Sequence, residues 1–224
     1  MPASPTDQPW GRWNKLPAGF YLRSNVVSIA RDLLGKILVT NWHGVVTAGR
    51  IVETEAYRGK QDRASHAAGG RRTARNEIMY REGGNAYVYL CYGIHYLFNV
   101  VTNRPEVPHA ILIRGLEPLV GEGEMRARAG KRGADSSLTR GPGNLTRALG
   151  ITGDHNGLPL TGDCLYLAED GTSYAGSEIG ISARIGVEYA GPDAELPYRF
   201  FVRGNPHVSG PRHLLSQPGR RSGR

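Results

Sequence analysis

Cysteine is nearly absent. The 224 residues hold two, Cys91 and Cys164, far apart and in no C-x-x-C pair. That argues against a secreted disulfide scaffold and a thiolate zinc site, which need closely spaced sets. No grouping of Cys, His and carboxylate has metal-ligand spacing either, so neither metal nor cofactor is expected. Lysine is almost as scarce: of 28 basic residues only Lys15, Lys36, Lys60 and Lys131 are lysine, and the rest are arginine. No apolar run approaches the roughly 20 residues that a membrane-crossing helix requires. The opening MPASPTDQPW lacks the apolar stretch of a signal peptide. A cytoplasmic, intracellular protein with no membrane partner is the expectation. No internal repeat or linker divides the chain.

Hydrophobic residues make up 39% of the sequence, enough for one domain with a full core. The 28 basic residues face 20 acidic ones, for a net charge of +8 and a pI near 9.7. Arginine's planar fork suits phosphate and lies flat on bases. The excess points to a polyanion partner, although many basic proteins bind none.

Residues 1–17 are rich in proline and polar groups and read as a flexible arm. From Ser24, the positions Val26, Ile29, Ala30, Leu33 and Leu34 follow helical spacing, with Gly35 as the stop. Lys36 to Thr40 and Val45 to Glu55 read as strands around a turn at 41–44. Thr73 to Tyr80 predicts a short helix capped by Thr73. A hairpin turning at Tyr92-Gly93 follows, then a strand at Ala110 to Arg114. Residues 120–140 read as an unstructured charged loop. G-P-G-N-L-T-R-A-L-G predicts a short helix with Asn144 as N-cap and Gly150 as stop. Its N-terminus, beside Arg140, is either a phosphate seat or only a capped helix end. Strands at Cys164 to Leu167, Ile179 to Ile185 and Tyr198 to Val202 complete the domain, and the tail 211–224 reads as disordered and basic. Strands outnumber helices without alternating with them, which predicts an α+β fold on an antiparallel sheet.

The most informative stretch is 50–103. In R-I-V-E-T-E-A-Y the period of 2 puts Glu53, Glu55 and Tyr57 on one face. They are either solvated residues of an edge strand or part of a pocket. Asn99 interrupts an apolar alternation, and a buried amide needs partners; it either braces the backbone or lines a pocket. Tyr87, Tyr89 and Tyr92 crowd one strand and its turn. An aromatic at an exposed hairpin tip is a natural wedge between base pairs. A carboxylate among aromatics has the tuned basicity of a general base.

These residues resemble the 3-methyladenine (alkyladenine) DNA glycosylase family. The shared words are R-I-V-E-T-E-A-Y (50–57), D-R-A-S-H (62–66), G-G-R-R-T-A-R-N (69–76), A-Y-V-Y-L-C-Y-G-I-H (86–95) and I-R-G-L-E-P (113–118). They continue in G-P-G-N-L-T-R-A-L-G-I (141–151), R-I-G-V-E-Y-A-G (184–191) and F-F-V-R-G-N-P-H-V-S (200–209). The likeness spans residues 18–210 in family order. It implies a single mixed domain with a curved antiparallel sheet, surrounding helices and a protruding DNA-intercalating hairpin. By resemblance, Glu55 activates the attacking water and Arg114 holds that water or a nearby phosphate. Tyr57 and His66 stack on a flipped base, Tyr89 closes the pocket, and Asn99 rejects guanine's 2-amino group. Tyr92, flanked by Ile94 and His95, fills the gap left in the duplex.

The implied partner is double-stranded DNA with alkylated or deaminated purines, bound by a monomer that needs no cofactor. A flipped base is attacked at its sugar's anomeric carbon, leaving an abasic site. Two other readings keep parts of this picture. A non-catalytic binder of damaged DNA or structured RNA would keep the pocket without the chemistry, and the intact Glu55 argues against it. A lyase needs an amine, for which Lys60, or Pro2 after removal of Met1, is available. The chain departs from the family pattern in having Thr73-Ala74-Arg75-Asn76 where Thr-Pro-Arg-Asn is common. It also has a longer connection at Arg104 to Pro108, expected beside Asn99.

Overall fold

Runs rich in β-branched and aromatic residues build nine strands among the residues described by the computed structural model, 13–131 and 135–210. They are β1 (Asn14–Lys15), β2 (Ile37–Trp42), β3 (Val45–Tyr57), β4 (Ala86–Cys91), β5 (His95–Thr102), β6 (His109–Val120), β7 (Leu165–Glu169), β8 (Ile179–Ser182) and β9 (Arg199–Val202). All pair antiparallel in the order β1-β7-β2-β3-β6-β5-β4, and β9 joins β3 to β8. With four short α-helices, α1 (Ala18–Tyr21), α2 (Val26–Asp32), α3 (Glu122–Ala129) and α4 (Pro142–Leu149), the described chain is one α+β domain.

The position of β3 explains why its glutamates are not solvated. Along one side it pairs with β6; along the other its first half pairs with β2 and Glu53 to Glu55 pair with β9. It is therefore an interior strand, and the edge-strand reading of Glu53 and Glu55 is wrong: both are fully buried.

Helix α2 forms where the periodicity places it. Asn25 caps it by accepting from Val27 and Ser28 N–H, each at 3.1 Å, and buried Val26, Ile29 and Ala30 face the core. Several local expectations need correction. Residues 120–140 are not one loop: Glu122–Ala129 form α3, held by Arg126–Glu122 and Arg128–Glu124 pairs at i,i+4 and stopped by Gly130 at φ 65°. Asn144 does not cap α4. Gly141 is the N-cap without a side-chain bond, Pro142 opens the helix, and Asn144 sits inside it, donating to the Arg140 carbonyl; Gly150 does end it. Thr73 caps nothing, and a 3₁₀ turn at Glu77–Tyr80 follows Asn76. The strand expected at 110–114 runs from His109 to Val120, and the one expected at 179–185 stops at Ser182. Within the expected arm, Asn14 and Lys15 pair with Glu169 and Ala168, and Leu16 is buried. Residues 1–12 of that arm, Pro2 among them, and the basic tail lie outside the described residues.

Candidate active site

The sheet register lines up the site. Tyr87 on β4 is opposite Asn99 on β5, Asn99 opposite Leu112 on β6, Leu112 opposite Glu55 on β3, and Glu55 opposite Arg199 on β9. Directly opposed residues share a face, so one row across five strands carries an amide, a carboxylate and a tyrosine onto the same side. Over this row lies a cavity of about 640 Å³, lined by Tyr57, His66, Tyr89, Asn99 and Arg114 among others.

Between Glu53 and Thr54 the β3–β6 register shifts. Gly115 is opposite Glu53 and Ile113 opposite Thr54, which leaves Arg114 as the extra residue of a bulge. Arg114 forks between the two carboxylates: Nε donates to Glu53 at 3.0 Å and Nη1 to Glu55 at 3.3 Å. Gly115 is needed here, because a Cβ would sit 2.6 Å from the His207 carbonyl oxygen. That close approach brings Ser209 to the site.

The two glutamates differ in what they hold. Glu53 accepts from Arg114, from Arg199 Nε at 2.8 Å, from Ser209 Oγ at 2.9 Å and from Ser209 N–H at 2.7 Å. Three of these donors meet Oε1, and the Ser209 N–H alone meets Oε2. Glu55 takes three: Ile185 N–H at 2.8 Å, the Tyr57 hydroxyl at 2.9 Å and Arg114. All three donors to Glu55 belong to residues that line the cavity, whereas of the residues that hold Glu53 only Arg114 does. Burial works against the charge of Arg114, yet Glu55 and Glu53 more than offset it and hold its pKa above the ordinary value. Burial, then the adjacent Glu55, pushes the Tyr57 phenol well up, so it stays a neutral donor.

A second buried pair supports the first. Arg184 donates to Asp62 at 2.8 Å and to the Ala56 carbonyl at 2.9 Å, and its guanidinium lies 4.8 Å over the Tyr57 ring. This fixes the loop that delivers Ile185 to Glu55. Asp62, Arg184, Arg199 and Ser209 all lie inside or beside the shared words, but no spacing in the sequence signals that they converge.

His66 meets the Tyr89 ring edge-on at 4.7 Å between centroids, and its Nδ1 lies 2.7 Å from the Tyr87 hydroxyl. Burial, then the charges of Arg75 and Arg71, lowers its pKa to about 4. Asn99 does both things left open for it: its amide donates to the Tyr87 carbonyl at 3.1 Å, and the residue lines the cavity.

Tyr92 (φ 50°) and Gly93 (φ 70°) form the tip of the β4–β5 hairpin, closed by a bond from Ile94 N–H to the Cys91 carbonyl at 3.1 Å. Tyr92 is 89% exposed and Ile94 68%. Tyr92 borders the cavity, and so does His95, which packs on Gly143 at the start of α4. Glu55 and Ile94 do not line the cavity themselves. The connection at 104–108 is not beside Asn99 in space: Glu106, Val107 and Pro108 line a different cleft together with Lys60, and none of 104–108 borders the cavity. Among the described residues, no group of three or more His, Cys, Asp or Glu is placed to hold a metal ion, and no helix is long and apolar enough to cross a membrane.

The fold thus sets an interior-strand carboxylate pair next to an aromatic-lined cavity and an exposed hairpin tip. The chain matches the family model of methylpurine-DNA glycosylase (MPG) over residues 19–206 and belongs to that family. Proteins similar to it include one from Bacillus licheniformis, 46% identical over 195 residues that cover 87% of this chain and 96% of the relative. One from Bacillus cytotoxicus is 44% identical over 203 residues, covering 87% and 99%. One from Chlamydia felis is 44% identical over 188 residues, covering 84% and 95%. Each carries the name "Putative 3-methyladenine DNA glycosylase".

Proposed function

We propose that this protein is a monofunctional DNA glycosylase of base excision repair, acting inside the cell on alkylated or deaminated purines such as 3-methyladenine and hypoxanthine. The damaged nucleotide swings out of the duplex into the cavity, at a cost of a few kcal/mol that damage or mispairing reduces. Tyr57, His66 and Tyr89 supply aromatic faces and edges for the purine, and Asn99, which also lines the cavity, rejects guanine's 2-amino group in this scheme. Water then attacks the anomeric carbon: its oxygen bonds to the sugar, its proton passes to Glu55, and the bond to the base breaks with the electron pair leaving on the base.

The observation that supports this reading is the different setting of the two carboxylates. Glu55 is held by three cavity-lining residues, Tyr57, Arg114 and Ile185, whereas Arg199 and Ser209, which hold Glu53 together with Arg114, do not line the cavity. General-base help is worth roughly 10²–10⁴-fold, so positioning and the leaving ability of an alkylated base supply the rest. Arg114 holds Glu55 in place from the cavity wall.

Tyr92 is the wedge in this scheme. A tyrosine at positive φ is strained by roughly 1–2 kcal/mol, and at 89% exposure it regains little by packing in the free protein. Such strain at an exposed aromatic fits a residue whose contact comes with the ligand. Lys60 faces the other cleft, which removes the lysine on which a lyase reading relied.

The test is base release from duplexes carrying hypoxanthine or 3-methyladenine, with borohydride trapping alongside. Release of free base with no trapped adduct supports a hydrolase. No release from either duplex, with binding intact, overturns it in favour of a silent binder.

A further inference from the structure

The buried hydroxyl beside His66 has a consequence for which bases the cavity accepts. Tyr87 is 1% exposed, and its hydroxyl lies 2.7 Å from His66 Nδ1 and within hydrogen-bond reach of the Arg75 guanidinium. A buried O–H that fails to donate carries an uncompensated desolvation cost. Burial raises the pKa of Tyr87, so the phenol keeps its proton. The charged group that acts on this phenol is Arg75, which only donates. Of these two partners, His66 Nδ1 is the one that can take the phenol proton.

If Nδ1 accepts, the imidazole proton must sit on Nε2. The surroundings agree with a neutral ring. The charged groups acting on it are Arg75 and Arg71, both cations, and its other ring contacts are Tyr87 and Tyr89. His66 Nε2 has no hydrogen-bond partner among the described residues, although His66 itself lines the cavity.

We infer that Tyr87 is a positioning residue that locks His66 as a neutral Nε2–H donor facing the cavity. The cavity then selects a nucleotide that offers a hydrogen-bond acceptor at that point. The acceptor is either the 6-keto oxygen of a deaminated purine or an oxygen of the adjoining phosphate. An unmodified adenine offers a 6-amino donor there and is disfavoured if the base edge is what is read. This rests on the reading of the cavity as a base pocket, but its first test does not.

That test is the ¹⁵N spectrum of the imidazole in the free, full-length protein, with the His66 signal assigned by its loss in His66→Gln. The expected signature is an unprotonated Nδ1 and a protonated Nε2 at neutral pH. In Tyr87→Phe the lock is gone, and the signal should move toward the Nδ1–H tautomer or an average of the two. A protonated Nδ1 in the wild type, or an unchanged spectrum in Tyr87→Phe, overturns the proposal whatever the enzyme's activity.

The second test is single-turnover excision by Tyr87→Phe from hypoxanthine and 3-methyladenine duplexes. Loss of one hydrogen bond predicts a fall of about five-fold. A fall on hypoxanthine alone identifies the keto oxygen as the acceptor, and an equal fall on both identifies the phosphate. No fall on either, with the tautomer changed, overturns a role for this donor in selection. Failure of base release by the wild type would instead count against the glycosylase reading and leave the tautomer result standing.

Discussion

Replacing Glu53 and Glu55 by glutamine, one at a time, should separate stability from activity in opposite orders. Glu53→Gln leaves Arg199, which is fully buried, without its carboxylate, and puts an amide among four donors. Breaking a buried pair by removing one partner costs about 3–5 kcal/mol, or about 6–20 °C in melting temperature for a chain of this size. Glu55→Gln is milder, because Arg114 keeps Glu53 at 3.0 Å and the Tyr57 hydroxyl can turn to accept. Loss of one hydrogen bond to a charged group costs about 1.5–3 kcal/mol. Activity should run the other way. Glu55→Gln cannot take the water's proton, so single-turnover excision from a hypoxanthine duplex should fall by at least about 100-fold with binding retained. Below its lowered melting temperature, Glu53→Gln should excise within a few-fold of wild type. Near-normal excision by Glu55→Gln, or a larger catalytic loss in Glu53→Gln, would refute the assignment.

Tyr92→Asn suits the left-handed backbone better, so the free protein should melt at the same temperature or slightly higher. Excision from stably paired lesions should fall by the lost stacking, about 1–3 kcal/mol, and mispaired lesions should suffer less. A lowered melting temperature with equal losses on both would make Tyr92 a packing residue. Gly143→Ala places a Cβ 2.7 Å from His95 Cγ, which should cost about 1–3 kcal/mol by overpacking and disturb one wall of the cavity. A variant as stable as wild type would show that His95 moves freely. His66 and His109 both have folded pKa values lowered from 6.5 to about 4, chiefly by burial. The unfolded chain therefore binds more protons between those values, and stability should be complete above pH 6.5 and fall as pH drops toward 4. Denaturant midpoints that stay flat from pH 7 to 4.5 would contradict the buried, neutral state of both rings.

The residue types of the site were legible in the sequence because chemistry constrains type locally. Period 2 put Glu53, Glu55 and Tyr57 on one face, and Tyr92-Gly93 marked a turn whose tip had to be exposed. Helix α2 and the stop at Gly150 were legible for the same reason, since caps and periodicity act within a few residues. Helix α3 is not legible because it is mostly charged and offers one large apolar residue, Met125, in place of an apolar stripe, its support coming also from i,i+4 ion pairs and packing on α4. The choice between Glu53 and Glu55 lay outside the sequence altogether. Alternation treats the two alike, and what separates them is the set of donors arriving from distant segments: Arg199 and Ser209 at Glu53, Ile185 at Glu55. The burial of both came from the same source, because an interior strand is defined by neighbours that lie far away in the chain. A strand of this composition says which side chains share a face; only the segments packed beside it decide which of them is held by the walls of the cavity.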